Sequence, residues 1–284
     1  MTVVDEAVVG EPCGAVADVV AAYHGYRQDG VAPARHLGLP SPYLTLIFTL
    51  DEPLHLAQHV GNRQGERSYD TLAGGLHTTP AVITHEGRQS GIQLQVHPHA
   101  ARALFGMPAG ELAGIDADAC AVLGPVALRI RERIGAATSW PERFAVLDEE
   151  LAALVARTER PGPPSPVVNA WHLLRRSNGA LPIGALAHAV GYSDRRLSTL
   201  FDAEIGLSPK TAARVIRFDT TRRAVQASER GLLGVIAAEQ GYSDQSHLVR
   251  DFVAFTGHSP TRWLAEEFGN VQAAARRAAP DLPA

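Results

Sequence analysis

Lysine is almost missing from this chain. Lys210 is the only one, so the positive charge rests on arginine. Cysteine is nearly as scarce: Cys13 and Cys120 cannot build a disulfide framework or a four-cysteine zinc site. No apolar run approaches the roughly 20 residues that a membrane helix needs. The N-terminus carries acids and no basic leader region, so a cytoplasmic protein without a signal peptide is expected. There is no Gly-rich phosphate loop and no G-x-S-x-G elbow. Neither cysteine sits in the context of a nucleophile. The expectation is therefore no enzyme and no cofactor.

What is present is room for two domains of ordinary size, 284 residues with 45% hydrophobic content. The net charge of −4 conceals a division. Residues 1–165 carry 12 arginines against 19 acids, or −7, and residues 166–284 carry 14 basic residues against 11 acids, or +3. An asymmetry of this sign places any nucleic-acid partner at the C-terminal end.

That end contains a duplication. Ile183 to Pro209 and Leu233 to Trp263 each read as two short helices around a tight turn. Gly-Tyr-Ser-Asp recurs at 191 and 241, a shift of 50 residues, whereas Leu197 and Phe201 recur as Leu248 and Phe252, a shift of 51. Gly241 suits the left-handed turn that ends a helix. Ser193 and Ser243 are expected to cap the second helix of each pair. Leu248, Phe252 and Phe255 share one buried face, and Ser246, Val249, Arg250 and Val253 form an outward stripe. Each copy ends in F-x4-G-x-S-P, whose Ser-Pro resembles an N-cap and the first turn of a further helix.

With Gly191, Ser193, Leu197, Phe201, Gly206 and Pro209 in the first copy, and Gly241, Tyr242, Ser243, Asp244, Arg250, Phe252, Gly257 and Pro260 in the second, residues 167–268 resemble the DNA-binding domain of the AraC/XylS family of bacterial transcription regulators. The resemblance implies seven helices, with a long central one from about Ser208 to Ala227 joining two reading heads.

Ahead of this lies a different pattern. A short helix is expected near Val16 to Tyr23, and then strands: YLTLIFTL at 43–50, AVITHEG at 81–87 and GIQLQVHP at 91–98. In the last of these Ile92, Leu94 and Val96 alternate with Gln93, Gln95 and His97, the period of a half-buried strand. Short helices follow at 98–107 and 108–114. A helix at 123–134 has Val126, Ile130 and Ile134 on one stripe. Ser139 and Glu142 form a capping box for a helix to about Thr158 with Phe144, Leu147, Leu151 and Leu154 on its apolar face. These stripes read as core first and as a dimer interface second. His55, His59, His77, His85, His97 and His99 invite a cupin-like metal reading. However, His97-x-His99 has no carboxylate three or four residues on, and the set reads as strand residues and a helix cap. The stretch HPHAARALFG resembles a sensor-like domain of actinobacterial AraC-type regulators.

The fold class expected is α+β. A small sheet or barrel-like domain with trailing helices (1–160) should be joined by the Pro-rich linker 161–166 to the all-α double helix-turn-helix domain (167–268), with a tail at 269–284. The function this implies is sequence-specific regulation of transcription by a homodimer on double-stranded DNA, with RNA polymerase and a small-molecule effector as further partners and no membrane. Arg195, Ser198 and Thr199 in the first head, and Ser246, Val249 and Arg250 in the second, are the expected base readers. Arg196, Gln245 and His247 are expected at phosphates, and Ser193 and Ser243 at helix ends that offer amides to phosphate. The rival readings are a ligand- or metal-processing enzyme fused to a DNA-binding tail, and an adaptor whose N-terminal domain only dimerises or contacts polymerase.

Overall fold

The computed structural model describes residues 3–62, 64–157, 161–228 and 232–267. The expected tail, 269–284, lies outside them. The N-terminal unit contains two antiparallel sheets. One has six strands in the order β1 (Val4–Gly10), β2 (Val20–Asp29), β9 (Arg88–Val96), β4 (Leu44–Thr49), β7 (Thr71–Gly74) and β10 (Asp116–Asp118). The other has β3 (Ala34–Gly38), β8 (Ala81–His85), β5 (Leu54–Gln58) and β6 (Arg67–Tyr69). The strands β8 and β9, adjacent in sequence, lie in different sheets, so the turn between them carries the chain across.

The helix expected at Val16–Tyr23 is not formed. A single 3-10 turn, Gly14–Val16, leads into β2. The alanines and valines there permit helix locally, but β2 pairs with β1 on one side and β9 on the other. Tertiary pairing overrides a weak local preference. Gly25 fits this role, since a Cβ there would lie 2.6 Å from the Trp140 ring.

Strand alternation gives the large sheet two unlike faces. Tyr23, Leu44, Leu46, Phe48, Ile92, Leu94 and Val96 are fully buried against helices. These helices are α1 (Ala101–Phe105), α2 (Ala119–Leu123), α3 (Val126–Ala136) and α4 (Trp140–Ala156). The stretch 108–114 gives only a 3-10 turn, Ala109–Leu112. The Ser139–Glu142 capping box is present at α4. Ile130, Ile134, Leu147 and Leu151 have no exposed surface, and Glu150, 5% exposed, accepts from Arg129 and Arg133 to tie α3 to α4. Those stripes are therefore used up in the core, and Leu128 is the large apolar side chain that α3 leaves exposed.

The C-terminal unit comprises α5 (Ser165–Arg176), α6 (Ile183–Ala189), α7 (Asp194–Ile205), α8 (Pro209–Ala227), α9 (Leu233–Glu239), α10 (Gln245–Thr256) and a helical stretch at 260–267. These seven helical segments match the number the resemblance implies. α5 begins inside the expected linker, because proline is tolerated in a first helical turn and Pro166 occupies one.

The two units are in contact. Arg102 of α1 donates to both carboxylate oxygens of Glu204 in α7, at 2.8 and 2.9 Å. Gly110 meets the end of α7, where a Cβ would lie 2.2 Å from the Ala203 carbonyl oxygen. Arg175 of α5 donates to the Tyr43 hydroxyl at 2.6 Å. His97 and His99 stack in front of His172 of α5, and burial, with those two rings beside it, lowers His99 to about 4.

Candidate nucleic-acid interface

In the first head the turn between α6 and α7 is made by Gly191 at φ +73°. Ser193 caps α7 as expected, accepting from the Arg196 amide at 3.3 Å. Leu197, Phe201 and Ile205 are buried behind it. Arg195, Arg196 and Thr199 are exposed and Ser198 is half-buried. With Ser193 and Leu200, the three exposed residues line a shallow open groove. The Thr199 hydroxyl donates to the Arg195 carbonyl at 3.1 Å, which leaves its methyl as the free group. The Arg196 guanidinium lies over the Tyr192 ring, 4.5 Å from its centre.

The second head repeats this with one correction. Gly241 turns the chain at φ +74°, but the cap of α10 is Asp244, not Ser243. Asp244 accepts from the His247 amide at 2.7 Å, while Ser243 donates to the Asp244 carboxylate at 3.1 Å. The reason is the extra residue in this copy. A cap stands four positions before the buried leucine, and four before Leu248 is 244, just as four before Leu197 is 193. The His247 amide and the Ser243 hydroxyl hold the Asp244 carboxyl below its usual range. A carboxylate thus fills the end of α10 that was expected to offer amides to phosphate.

Gln245, Ser246 and Arg250 are exposed as expected. Val249 is half-buried, packed in part against the core, while Val253 is 42% exposed. His247 is half-buried, edge-on to Tyr242, with Nδ1 3.2 Å from the Ser243 hydroxyl, so only Nε2 is left for an outside partner. Among the described residues Arg195, Arg196 and Arg250 form no ion pair with a carboxylate. The arginines of α8 do: Arg214 and Arg217 meet Asp251 of α10 at 2.8 and 3.6 Å, and Asp219 holds Arg222 and Arg223. Phe218 of α8 packs on Phe252 and Phe255. The second head is therefore fixed to the central helix, which spans about 28 Å at 1.5 Å per residue.

A second feature lies between the two sheets. A cavity of about 460 Å³ is lined on the large-sheet side by His24, Thr45, Gln93 and Gln95, and on the other side by Leu54, Leu56 and Ile83. Arg222, Trp263 and Glu267 of the C-terminal unit complete its wall. Burial pushes the Glu267 carboxyl up. The histidine cluster did not become a metal centre: among the described residues no three His, Cys, Asp or Glu side chains are placed to hold an ion. His55 bonds to Ser68 and Glu66, His59 is buried against Asp116, His77 bonds to the Thr79 carbonyl and His85 accepts from the Gly87 amide. Among the described residues no helix is long and apolar enough to cross a membrane.

Residues 186–266 match the family model of a helix-turn-helix domain, and residues 10–118 match that of a domain of unknown function. No curated protein matches the chain by sequence. Among solved structures, a ToxT variant from Vibrio cholerae in its apo form aligns with a TM-score of 0.51 at 10% identity, over 90% of this chain and 99% of that one. Wild-type ToxT from the same organism, bound to an unsaturated fatty acid, gives 0.48 at 11% identity, over 87% and 95%. A transcriptional regulator from Chromobacterium violaceum with an AraC-type DNA-binding domain gives 0.32 at 22% identity, over 41% and 95%. The first of these shows a shared two-unit fold, and the sequence match falls on the two heads. The paired heads are thus a helix-turn-helix domain, and the chain is a DNA-binding transcription regulator with a sheet-built unit ahead of them.

Proposed function

We propose that the chain regulates transcription at specific operators in answer to a small molecule bound between its N-terminal sheets, as a cytoplasmic homodimer without catalytic activity. The observation that carries the effector reading is the shared wall of the cavity. A ligand there would touch Arg222, Trp263 and Glu267 of the DNA-binding unit directly, so occupancy and the setting of the heads are coupled through contact. Arg195 and Arg250 are the base readers, each able to make two hydrogen bonds to guanine, with Ser198, the Thr199 methyl and Ser246 beside them. Arg196 and Gln245 serve phosphates. Dimerisation and any polymerase contact rest on surfaces outside the heads, with Leu128 an exposed apolar candidate for the first. Residues 165–284 carry the DNA-binding activity without the rest of the chain, and residues 1–160 carry dimerisation.

Genome-wide mapping of bound sites, followed by fluorescence anisotropy on the recovered sequence, tests the reading. Specific affinity should exceed non-specific affinity by about a thousandfold or more at physiological salt. Equal affinity for scrambled DNA would overturn it.

A further inference from the structure

The cavity has two chemically different walls, and that difference specifies its occupant. On the large sheet, His24 of β2 pairs across with Gln93 of β9, and Thr45 of β4 with Gln95 of β9. Alternation points all four to the same side, so they form one contiguous polar patch. Gly74 pairs with Thr45 and continues that wall without a side chain. From the small sheet, Leu54 and Leu56 of β5 and Ile83 of β8 present hydrocarbon, joined by Ile47 of β4 across from them, with His36 of β3 the one polar side chain beside Ile83. The alternation that reads in the sequence as a strand facing water is here a strand whose polar half faces a cavity.

The polar wall is uncharged. Gln93, Gln95 and Thr45 do not titrate, and burial lowers the His24 pKa against a hydrogen bond with Gln95 that raises it. The Nε2 of His24 is buried without a hydrogen-bond partner. The nearby charges are largely offset: Arg222 is paired with Asp219 at 2.9 Å, though its Nε has no partner, Asp116 is held by His59 and the Val60 amide, each at 3.1 Å, and burial raises the Glu267 carboxyl. Two amides, a hydroxyl and an imidazole with an open nitrogen recognise hydroxyl and carbonyl groups. They are a poor match to a hydrocarbon, which would leave them unpaired.

We propose that the cavity binds a rigid, uncharged ligand with hydroxyl and carbonyl groups along one edge, facing His24, Thr45, Gln93 and Gln95, and hydrocarbon along the other, facing Leu54, Leu56 and Ile83. Rigidity follows from the row itself, because a flexible chain would have to be ordered to hold several polar groups in line. This rests on the reading of the cavity as the effector site, and it adds the ligand's class. Gln93 and Gln95 are the specificity-determining residues, which neither a charge pattern nor a motif had marked.

Two isomers separate the edge from the composition. Fluorenone with both hydroxyls beside its one carbonyl (the 1,8-isomer) has its polar groups on one long edge and hydrocarbon on the other; the 3,6-isomer carries its hydroxyls at the two ends, away from the carbonyl. Binding of each to the full-length protein is measured by calorimetry and by the shift in melting temperature, with decanol as a flexible hydrocarbon control. The wild type should bind the one-edge isomer about tenfold or more tighter than the other. In Gln93→Leu/Gln95→Leu that preference should vanish while the ligand-free melting temperature holds; the single change Gln95→Met, which keeps length and removes the amide, should reduce it and serves if the double variant does not fold. Equal binding of the isomers, tighter binding of decanol, or an unchanged preference in the variants would overturn the ligand class and leave the cavity reading standing. If none of the probes binds the wild type, both fall.

Discussion

The two heads descend from one pattern but are held by different parts of the molecule. The first is anchored to the N-terminal unit: Glu204, at the end of α7, takes both hydrogen bonds from Arg102, and Gly110 lets the backbones meet. The second is anchored to the central helix, where Asp251 meets Arg214 and Arg217 and three aromatic rings interlock. Both anchors are nearly buried carboxylates on the recognition helix, yet one meets the N-terminal unit and the other the central helix. Duplication thus preserves what a head must do locally and leaves its mounting free to diverge.

The largest expected effect breaks the mounting of the second head. Asp251 is 6% exposed, and removing it leaves Arg214 and the partly buried Arg217 without their shared carboxylate. Asp251→Ala should cost about 3 kcal/mol or more of stability, since breaking a buried pair uncovers a charge. Urea unfolding followed by circular dichroism measures it. Glu204→Gln, at the corresponding anchor of the first head, should lower the global midpoint much less and loosen the contact between the units instead. Faster hydrogen exchange confined to α1 and the end of α7 is the expected sign. Equal midpoints for the two variants would mean that the mountings are not distinct.

Next in size are the reading residues. Arg250→Ala should weaken operator binding by about 1–3 kcal/mol and relax the preference at one base pair. Arg195→Ala should rank with it. Thr199→Ala should cost less, because the hydroxyl it removes is already spent on the Arg195 carbonyl and only the methyl faces outward. Arg196→Ala should weaken all sequences alike and reduce the salt slope by roughly one ion. Anisotropy on an operator and its single-base variants, at several salt concentrations, distinguishes these patterns. If Arg250→Ala discriminated among the variants as wild type does, the second head would not be reading bases there.

How much of this could be read from the sequence depended on how local each feature was. The capping box at Ser139 and Glu142, the two glycine turns and the buried stripes of α7 and α10 each involve residues within one or two helical turns, and local spacing showed them. The stretch near Val20 misled, because its strand is defined by partners more than sixty residues away. The polar lining of the cavity was hidden for a related reason: Gln93 and Gln95 alternate in the same way whether they meet water or a closed space. Arg222 and Trp263 read as ordinary helix residues until the fold brings them to the sheets. The cap at Asp244 was within reach, since counting four back from Leu248 gives it, whereas the repeated Gly-Tyr-Ser-Asp drew attention to Ser243.

The smallest effects sharpen the comparison at the caps. Ser193→Ala should cost about 1 kcal/mol, the usual loss for an N-cap, whereas Ser243→Ala should cost a few tenths because Asp244 already satisfies the end of its helix. The pH window of the loss, not its sign, separates the second head from the contact between the units. Asp244 has a folded pKa below its ordinary 3.8, so its contribution is present above that value and is lost as pH falls through the lower folded value. The buried His99, lowered from 6.5 to about 4, loses its contribution in the window between those values, so the two can be read apart in one acid titration. Asp244→Ser should abolish the acid-side loss in the second head and keep its cap. It should also strengthen DNA binding slightly at low salt, since a negative charge leaves the helix end nearest the phosphates; the gain should fade as salt rises. An affinity lowered by Asp244→Ser, with the cap intact by circular dichroism, would mean that the carboxylate itself contacts a base and that the heads differ in what they read as well as in how they are held.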